Sequence, residues 1–387
     1  MPMKLALLTG IFPPDIGGPA THARNVADEF RRRGHTVTVF TLWDDPRWFR
    51  AAGIVRYPRH WPWWLRSPLL TFSMVRHRGA YDVIYATGLH PVAAMASKIS
   101  RRPWVAKVVG DPVWERGRRL GLADPDFEKF QIAAKTSGAR IKAMRMVRNT
   151  SLKTAAAITA PSESLAGIAA KWTGEENKVS VIRNGVRFAV AAPKPAHEHG
   201  HKAVFVGRLI ELKRVGLILE ALDQADRWSL EIIGDGPDRS ALEEKSVALG
   251  LANRVKFLGT LSNSEVLTSL RAADILVLAS RIEGLPHVAV EAQAMGTPTV
   301  APRVGGLPEL VTDGVTGLLI EPFDADNLVT GLLRLEREPE LLRAMSNGCL
   351  KAAPEWTFDQ AANQLEELLK RVSTSKGRFA GSRSQIN

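Results

Sequence analysis

The chain has 387 residues, 45% hydrophobic and 24% charged, an ordinary globular balance whose length favours two domains, each with its own core. A single cysteine, Cys349, excludes an internal disulfide framework and fits a reducing compartment, and no cysteine and histidine spacing suggests zinc. The net charge of +12 implies an acidic partner: anionic lipid, polyphosphate, nucleic acid or an acidic substrate.

The start, Met1-Pro-Met-Lys-Leu-Ala, is too short and wrongly flanked for a signal peptide, and no run of about 18 apolar residues is present to span a membrane. Lys4 to Thr9 reads as a buried strand, Gly10 to Gly18 as a loop, and Pro19 to Arg33 as a helix with Ala20, Ala23, Val26, Ala27 and Phe30 on one face. Gly34-His35 ends it, and Thr36 to Phe40 is a second strand. This strand–loop–helix–strand unit opens a doubly wound parallel sheet. Gly17-Gly18 lets a backbone approach a ligand closely at a helix N-terminus.

In the stretch from Arg56 to Leu70, Trp61, Trp63 and Trp64 lie among Arg56, Arg59 and Arg66. Three readings stand: tryptophans packed on the core, contact with anionic lipid headgroups, or stacking on nucleic-acid bases. Tyr81 to Ala86 and Trp104 to Val109 are further strands, so the loops Thr87 to His90 and Gly110 to Pro112 fall at the ligand-binding edge of the sheet. Asp111 is either a turn cap or an acid of that edge. Glu115 to Lys153 reads as helical and basic, a solvated face or a surface for anionic lipid or an acidic acceptor. Ala155 to Ala160 and Val179 to Ile182 are strands, and Asn184-Gly185 signals a turn.

Residues 1–190 form a first domain, and 191–202, with Pro193, Pro195 and solvated His197, His199 and His201, a linker. The pattern then restarts over 203–350, with strands Ala203 to Gly207, Leu230 to Ile233, Val255 to Leu258, Asp274 to Ala279, Thr299 to Ala301 and Gly317 to Ile320. Phe358 to Val372 reads as an amphipathic helix, within a segment 351–372, and Ser373 onward as disordered.

The second domain is organised around Ser280 to Glu291. A buried strand runs into a glycine turn, Pro286 suits the first helical position, and Val288 to Met295 continues as a helix until Gly296. The amides of Gly284 and Leu285 and the positive helix end converge on one place, which suits an anion. Glu283 and Glu291 flank it: either they face hydroxyls rather than phosphates, the chemistry of a nucleotide sugar, or this is a surface capping turn with two solvated acids. Arg208 and Lys213 sit just past another strand end, where basic residues oppose the helix dipole locally and so suggest function. Two cations there could neutralise a pyrophosphate in binding and on departure.

These features together resemble the retaining nucleotide-sugar glycosyltransferases of family 4, over nearly the whole chain. The matching residues are the Gly17-Gly18 loop, Asn184-Gly185-Val186, Val206-Gly207-Arg208-Leu209 with Lys213, Gly234-Asp235-Gly236-Pro237, and Glu283 and Glu291 with seven residues between them. The resemblance implies a GT-B fold, two Rossmann-like doubly wound α/β domains with parallel sheets facing across a cleft, and a C-terminal helix that crosses back to the first domain. It implies that Arg208 and Lys213 hold the donor pyrophosphate, Glu283 contacts the donor sugar with the Gly284 and Leu285 amides, and Glu291 binds the ribose. Gly17, Gly18, Asn184, Gly207, Gly236 and Pro286 are donor-side positions. It further implies transfer with retention, in a same-face step in which the departing phosphate takes the acceptor proton, and no bound metal or other cofactor. Two departures stand out: Gly110-Asp111 occupies the place where many members carry a histidine, so either Asp111 takes that catalytic position or the donor sugar sits differently, and Arg187 stands where an acid is common.

The sequence therefore leads to a hexosyl-transferring enzyme with a UDP- or GDP-linked donor and a lipid-linked or cell-envelope acceptor. The expected location is the cytoplasm, at the inner membrane face, through Trp61, Trp63, Trp64, Arg59 and Arg66. The alternatives are a nucleotide-binding relative without transferase activity, or a nucleic-acid-binding protein on this scaffold. The latter leaves Glu283, Glu291, Arg208 and Lys213 unexplained.

Overall fold

The computed structural model describes residues 2–15, 17–44, 50–51, 53–133, 138–187, 190–193, 201–321 and 324–374. The chain divides into two compact units, Met1–Ile182 with Ala361 onward, and Arg183–Gln360. Of the expected linker, 194–200 with His197 and His199 lie outside the described residues, as does the tail beyond Thr374.

The first unit runs β1 (Lys4–Thr9), α1 (Gly18–Arg32), β2 (Thr36–Trp43), β3 (Arg50–Ala51), β4 (Ile54–Pro58), α2 (Trp63–Arg76), β5 (Val83–Ala86) and α3 (His90–Ser100). It continues through β6 (Trp104–Lys107), α4 (Pro112–Arg119), α5 (Phe127–Ile132), α6 (Ala139–Lys153), β7 (Ala157–Ala160), α7 (Glu163–Thr173) and β8 (Val179–Val181). Its eight strands lie in the order β3-β4-β2-β1-β5-β6-β7-β8, all parallel except the β3–β4 pair. The order reverses between β1 and β5, where the loops after those strands lie side by side. The central strands are apolar throughout because both sheet faces are covered. Ala6, Leu8, Ile84, Ala86, Trp104, Ala106 and Ile158 face a helical layer made by Leu70 and Met74 of α2, Ala93 and Ala96 of α3, and Leu152 of α6. The alternate positions turn to the opposite face, where His22 of α1 meets Tyr85 at 3.3 Å.

The long basic helix expected from Glu115 to Lys153 is three helices, and residues 134–137 lie outside the described residues. Arg145 and Arg148 are buried rather than solvated. A guanidinium tolerates burial when its N–H groups are ion-paired or hydrogen-bonded and its plane is stacked; Arg148 has an ion pair and Arg145 a carbonyl acceptor. Arg148 pairs with Asp111 at 2.6 Å and lies 3.7 Å over Trp172; Arg145 lies 4.1 Å over Phe130 and donates to the Phe130 carbonyl.

The last helix, α15 (Phe358–Thr374), includes Ser373 and Thr374, which the sequence reading leaves in the tail. Its residues from Ala361 on belong to the first unit, and Ala362, Leu365, Leu369 and Val372 form its buried stripe. One acid fastens it. Glu366 accepts from Arg33 Nη1 at 2.7 Å, from His35 Nε2 at 3.0 Å and from Lys370. The Met3 amide donates to His35 Nδ1 at 3.0 Å, so Nε2 carries the ring proton.

The second unit contains β9 (His201–Val206), α8 (Val215–Asp223), β10 (Trp228–Ile233), α9 (Arg239–Ala248), β11 (Val255–Gly259), α10 (Asn263–Ala272) and β12 (Ile275–Val277). It continues with α11 (His287–Ala294), β13 (Thr299–Pro302), α12 (Leu307–Leu310), β14 (Gly317–Ile320), α13 (Ala325–Arg337) and α14 (Pro339–Ala352). Its six parallel strands lie in the order β11-β10-β9-β12-β13-β14, with the reversal between β9 and β12. His201, expected in a solvated linker, is the first residue of β9 and stacks on the buried Trp228 ring at 4.8 Å. The polar imidazole covers the open end of an aromatic core residue, which a count of nearby acids does not reveal.

Candidate active site

In an open parallel sheet the strand carboxyl ends separate where the order reverses, leaving a crevice. In the second unit that place is set by the loops after β9 and β12. The β9 loop carries Arg208 and, in a single 3-10 turn, Lys213. The β12 loop carries Ser280 to Pro286 and enters α11. The two loops are tied by the Arg281 amide donating to the Leu212 carbonyl at 2.9 Å.

Glu283 is buried at the centre of this crossing. Its Oε1 accepts from the Ser280 hydroxyl at 2.6 Å and from the Lys213 ammonium. Its carbonyl accepts from the Gly306 amide at 3.0 Å. Gly305 stands so close that a Cβ there would lie 1.9 Å from that carbonyl, and its φ of +54° is left-handed. The glutamate is thus fixed at backbone and side chain, which suits a group that must meet a ligand in one orientation.

Beyond Glu283 the amides of Gly284 and Leu285 take no backbone partner among the described residues. Pro286 is the N-cap of α11, with extended ψ, rather than the first helical residue; no side chain caps this helix and no acid lies in its first turn. An open helix N-terminus carries partial positive charge and suits an anion. Asn184 is not a simple turn residue: it is buried, and its side chain donates to the Leu285 carbonyl at 3.0 Å, bracing the same loop.

Arg208 is exposed at the rim. The neighbouring glycines are explained by close approach. A Cβ on Gly234 would lie 1.9 Å from the Gly207 carbonyl, and one on Gly236 would lie 2.2 Å from the Leu209 carbonyl. The loops after β9 and β10 therefore touch backbone to backbone and hold Arg208 in place. Glu291, in the second turn of α11, is half-buried and accepts from Asn263 Nδ2 at 3.3 Å. Burial pushes its carboxyl above the ordinary range, and the Asn263 bond opposes this.

The second unit thus holds Asn184, Gly207, Arg208, Lys213, Gly236, Glu283, Gly284, Leu285, Pro286 and Glu291, and its sheet edge gathers the loops that carry them. Gly17, Gly18 and Asp111 belong to the first unit. Gly17 caps α1 at φ +134°, a conformation that favours glycine, and Gly18 with Pro19 opens the helix without a side-chain cap or a first-turn acid. Asp111 is fully buried: it caps α4 by accepting from the Val113 amide at 2.9 Å, accepts from Gln131 at 2.8 Å, and pairs with Arg148. Gln131 in turn accepts from Trp172 at 3.0 Å, which closes a ring of contacts back to Arg148.

Ser280, Asn263 and the Gly305-Gly306 turn were not singled out as site residues from sequence. Ser280 lies three residues before Glu283 and could have been found from that spacing; Asn263 and Gly305 reach the site only through the fold. Among the described residues no three His, Cys, Asp or Glu side chains group as a metal site, and no helix is long and apolar enough to cross a membrane.

Residues 16–189 match the model for Glycosyltransferase Family 4, and residues 189–351 that for Glycosyl transferases group 1. A D-inositol 3-phosphate glycosyltransferase of Mycobacterium leprae is 33% identical over 396 residues, covering 95% of this chain and 91% of that one. Among solved structures, sucrose-phosphate synthase from Thermosynechococcus elongatus superposes with a TM-score of 0.80 at 20% identity, over 96% of this chain and 99% of that one. Anabaena HepE in complex with UDP-glucose gives 0.74 at 22% identity, over 95% and 99%. The strand orders, the loop crossing at Glu283 and these likenesses agree, and the chain belongs to the family 4, group 1 glycosyltransferases of GT-B fold.

Proposed function

We propose that the chain transfers a hexosyl group from a nucleotide sugar to an acceptor with retention of anomeric configuration. The observation that carries this reading is the meeting of Lys213 and Glu283 at the strand reversal, beside the uncapped start of α11. A pyrophosphate suits the α11 N-terminus, the Gly284 and Leu285 amides, Arg208 and Lys213. Glu291, half-buried and hydrogen-bonded by a neutral amide, suits the ribose diol. Glu283 suits a sugar hydroxyl, since the Lys213 and Ser280 contacts fix its direction.

In this reading the β-phosphate leaves as the glycosidic bond breaks, and Arg208, Lys213 and the helix amides take up its growing charge. The acceptor oxygen attacks from the same face and gives its proton to the departing phosphate, so no separate strong base is required. The cations carry the charge-neutralising role without a bound metal. Asp111, enclosed by Arg148, Gln131 and the α4 amide, acts by holding the α4 loop in position. The donor base is uridine or guanosine; the UDP-glucose complex of the Anabaena neighbour favours uridine. The acceptor is a lipid-linked or cell-envelope precursor at the inner membrane face, which the basic first unit supports. The inositol-phosphate name of the Mycobacterium leprae relative agrees with an anionic acceptor.

Thermal unfolding with UDP, GDP and ADP tests the donor site. Ligand at about 100 times its dissociation constant adds about 2.7 kcal/mol of stability. A rise in Tm with one nucleotide, lost in Arg208→Ala and Glu291→Ala, is expected. Binding without sugar transfer would leave a nucleotide-binding relative, and no rise with any of the three would remove the donor-site assignment.

A further inference from the structure

The helical layer α2–α3–α6 differs from the rest of the first unit in charge and polarity. These helices, of 14, 11 and 15 residues, contain no aspartate or glutamate. By contrast α1 carries Asp28 and Glu29, and α7 carries Glu163. A carboxylate-free layer of this length is a segregated basic face rather than the mixed surface of a solvated helix.

The solvent side of the layer is also apolar. In α2 the residues turned away from the core include Trp64 and Phe72, 63% and 65% exposed, with Trp63 beside them. In α3 they are Met95 and Ile99, and in α6 Met146 and Val147, each half or more exposed. On each helix these positions recur at intervals of four or eight, or are adjacent, so they share one outward side. Basic residues accompany them: Arg76, Lys98, Arg140, Lys142 and Lys153 are exposed on the same helices. Because the three helices pack side by side on one sheet face through Leu70, Met74, Ala93, Ala96 and Leu152, their outer sides form a broad face rather than a groove.

We infer that this α2–α3–α6 face docks on an anionic lipid bilayer. A broad face of exposed tryptophan, phenylalanine and methionine, framed by cations and free of acids, complements a planar anionic surface: the rings sit at headgroup depth and the cations meet lipid phosphates. A groove would suit a peptide, and a second copy of the chain would bring an equally basic face against this one. The surface is wider than the Trp61–Arg66 stretch suggests. Arg59 pairs with Asp15 of the loop after β1 and with Asp44 just past β2, and Arg66 donates to the Arg59 carbonyl, so both arginines are engaged within the protein.

Docking does not rest on the transferase reading, and it is measured without donor or acceptor. The full chain is floated with vesicles of phosphatidylglycerol and phosphatidylcholine, and with phosphatidylcholine alone. Flotation with the anionic vesicles only, weakened between about 0.1 M and about 1 M salt as the Debye length shortens, is expected. Trp64→Ser with Phe72→Ser, and separately Lys98→Glu with Lys142→Glu, should each lower partitioning about tenfold or more. The charge-reversed pair lies wholly on the surface, so its Tm should match wild type. No flotation with anionic vesicles, or flotation unchanged in both variants, overturns the inference. A concentration-dependent dimer abolished by Phe72→Ser would assign the face to a second copy and overturn it as well.

Discussion

The Lys213 ammonium, carried by the loop that leaves β9, meets the Glu283 carboxylate, carried by the loop that leaves β12, where the strand order of the second sheet reverses. Neither residue is near the other in sequence; the Lys213 amide donates to the Ile210 carbonyl of its own loop, and the Glu283 carbonyl accepts from the Gly306 amide of the loop after β13. The pair joins the cation expected at the phosphate to the acid expected at the sugar. Lys213→Ala should therefore lower kcat by about 100-fold or more, the range found when one charge-stabilising donor is removed. Glu283→Gln keeps the shape and should also lower kcat. A variant with kcat near wild type at saturating donor would remove that residue from the reacting centre.

Ser280 provides a finer test. Its hydroxyl donates to the same carboxylate oxygen as Lys213, and it is fully buried. Ser280→Ala leaves Glu283 charged but less constrained, so kcat should fall by about tenfold, with a stability cost of about 1 kcal/mol. Equal loss in Ser280→Ala and Glu283→Gln would mean that the serine does more than orient the acid.

Glu291 should show a trade between stability and binding. Its carboxyl is raised by burial, so the folded state holds a proton more firmly than the unfolded chain. Its contribution to stability is then greatest at low pH and falls as pH rises from the ordinary glutamate value through the raised one. Glu291→Gln removes the ionised form, so without ligand its Tm at pH 7 should equal or exceed that of wild type. Its nucleotide affinity should fall about tenfold or more, since an amide replaces one acceptor for a diol. A variant that loses Tm while keeping nucleotide affinity would contradict the ribose role.

Glycine 305 separates space from conformation. A Cβ there meets the Glu283 carbonyl at 1.9 Å, whereas Gly314, also with positive φ at +72°, has nothing within 4 Å of its Cβ position. Gly314→Ala should cost about 1 kcal/mol, for backbone conformation alone. Gly305→Ala should cost more than about 2 kcal/mol and lower activity, because the Glu283 backbone must move. Equal Tm losses in chemical or thermal unfolding would count against that crowding.

The Glu366 clasp gives an acid-limb prediction. Burial opposes its ionisation, but hydrogen bonds from Lys370, Arg33 and His35 outweigh this and hold the carboxyl at about 2. A depressed acid stabilises above its unfolded pKa, and that contribution is lost as pH falls from about 4.5 through about 2. Glu366→Gln should cost about 2 kcal/mol at pH 7, below the full shift because the site is partly exposed, and the gap from wild type should close toward pH 2. A constant gap across that window would show that packing of α15, and not the charge, is what the substitution disturbs.

The sequence by itself determined the two parallel-sheet units, the family, and the candidate residues of the second unit. Its signals were local: apolar runs of strand length, glycines at strand ends, a proline before a helix, and two acids at a set spacing within one turn and helix. Only the tertiary structure decided which residues touch. It joined Lys213 to Glu283, braced Leu285 with Asn184, set Gly305 against Glu283 and enclosed Asp111 between Arg148, Gln131 and the start of α4. It also moved Arg59 from a free basic patch to an ion pair with Asp15, and spread the exposed apolar side chains over three helices far apart in sequence. Local periodicity reports which side of an element is apolar, whereas the partner of a buried charge is set by strand order and loop crossing, which no single segment encodes.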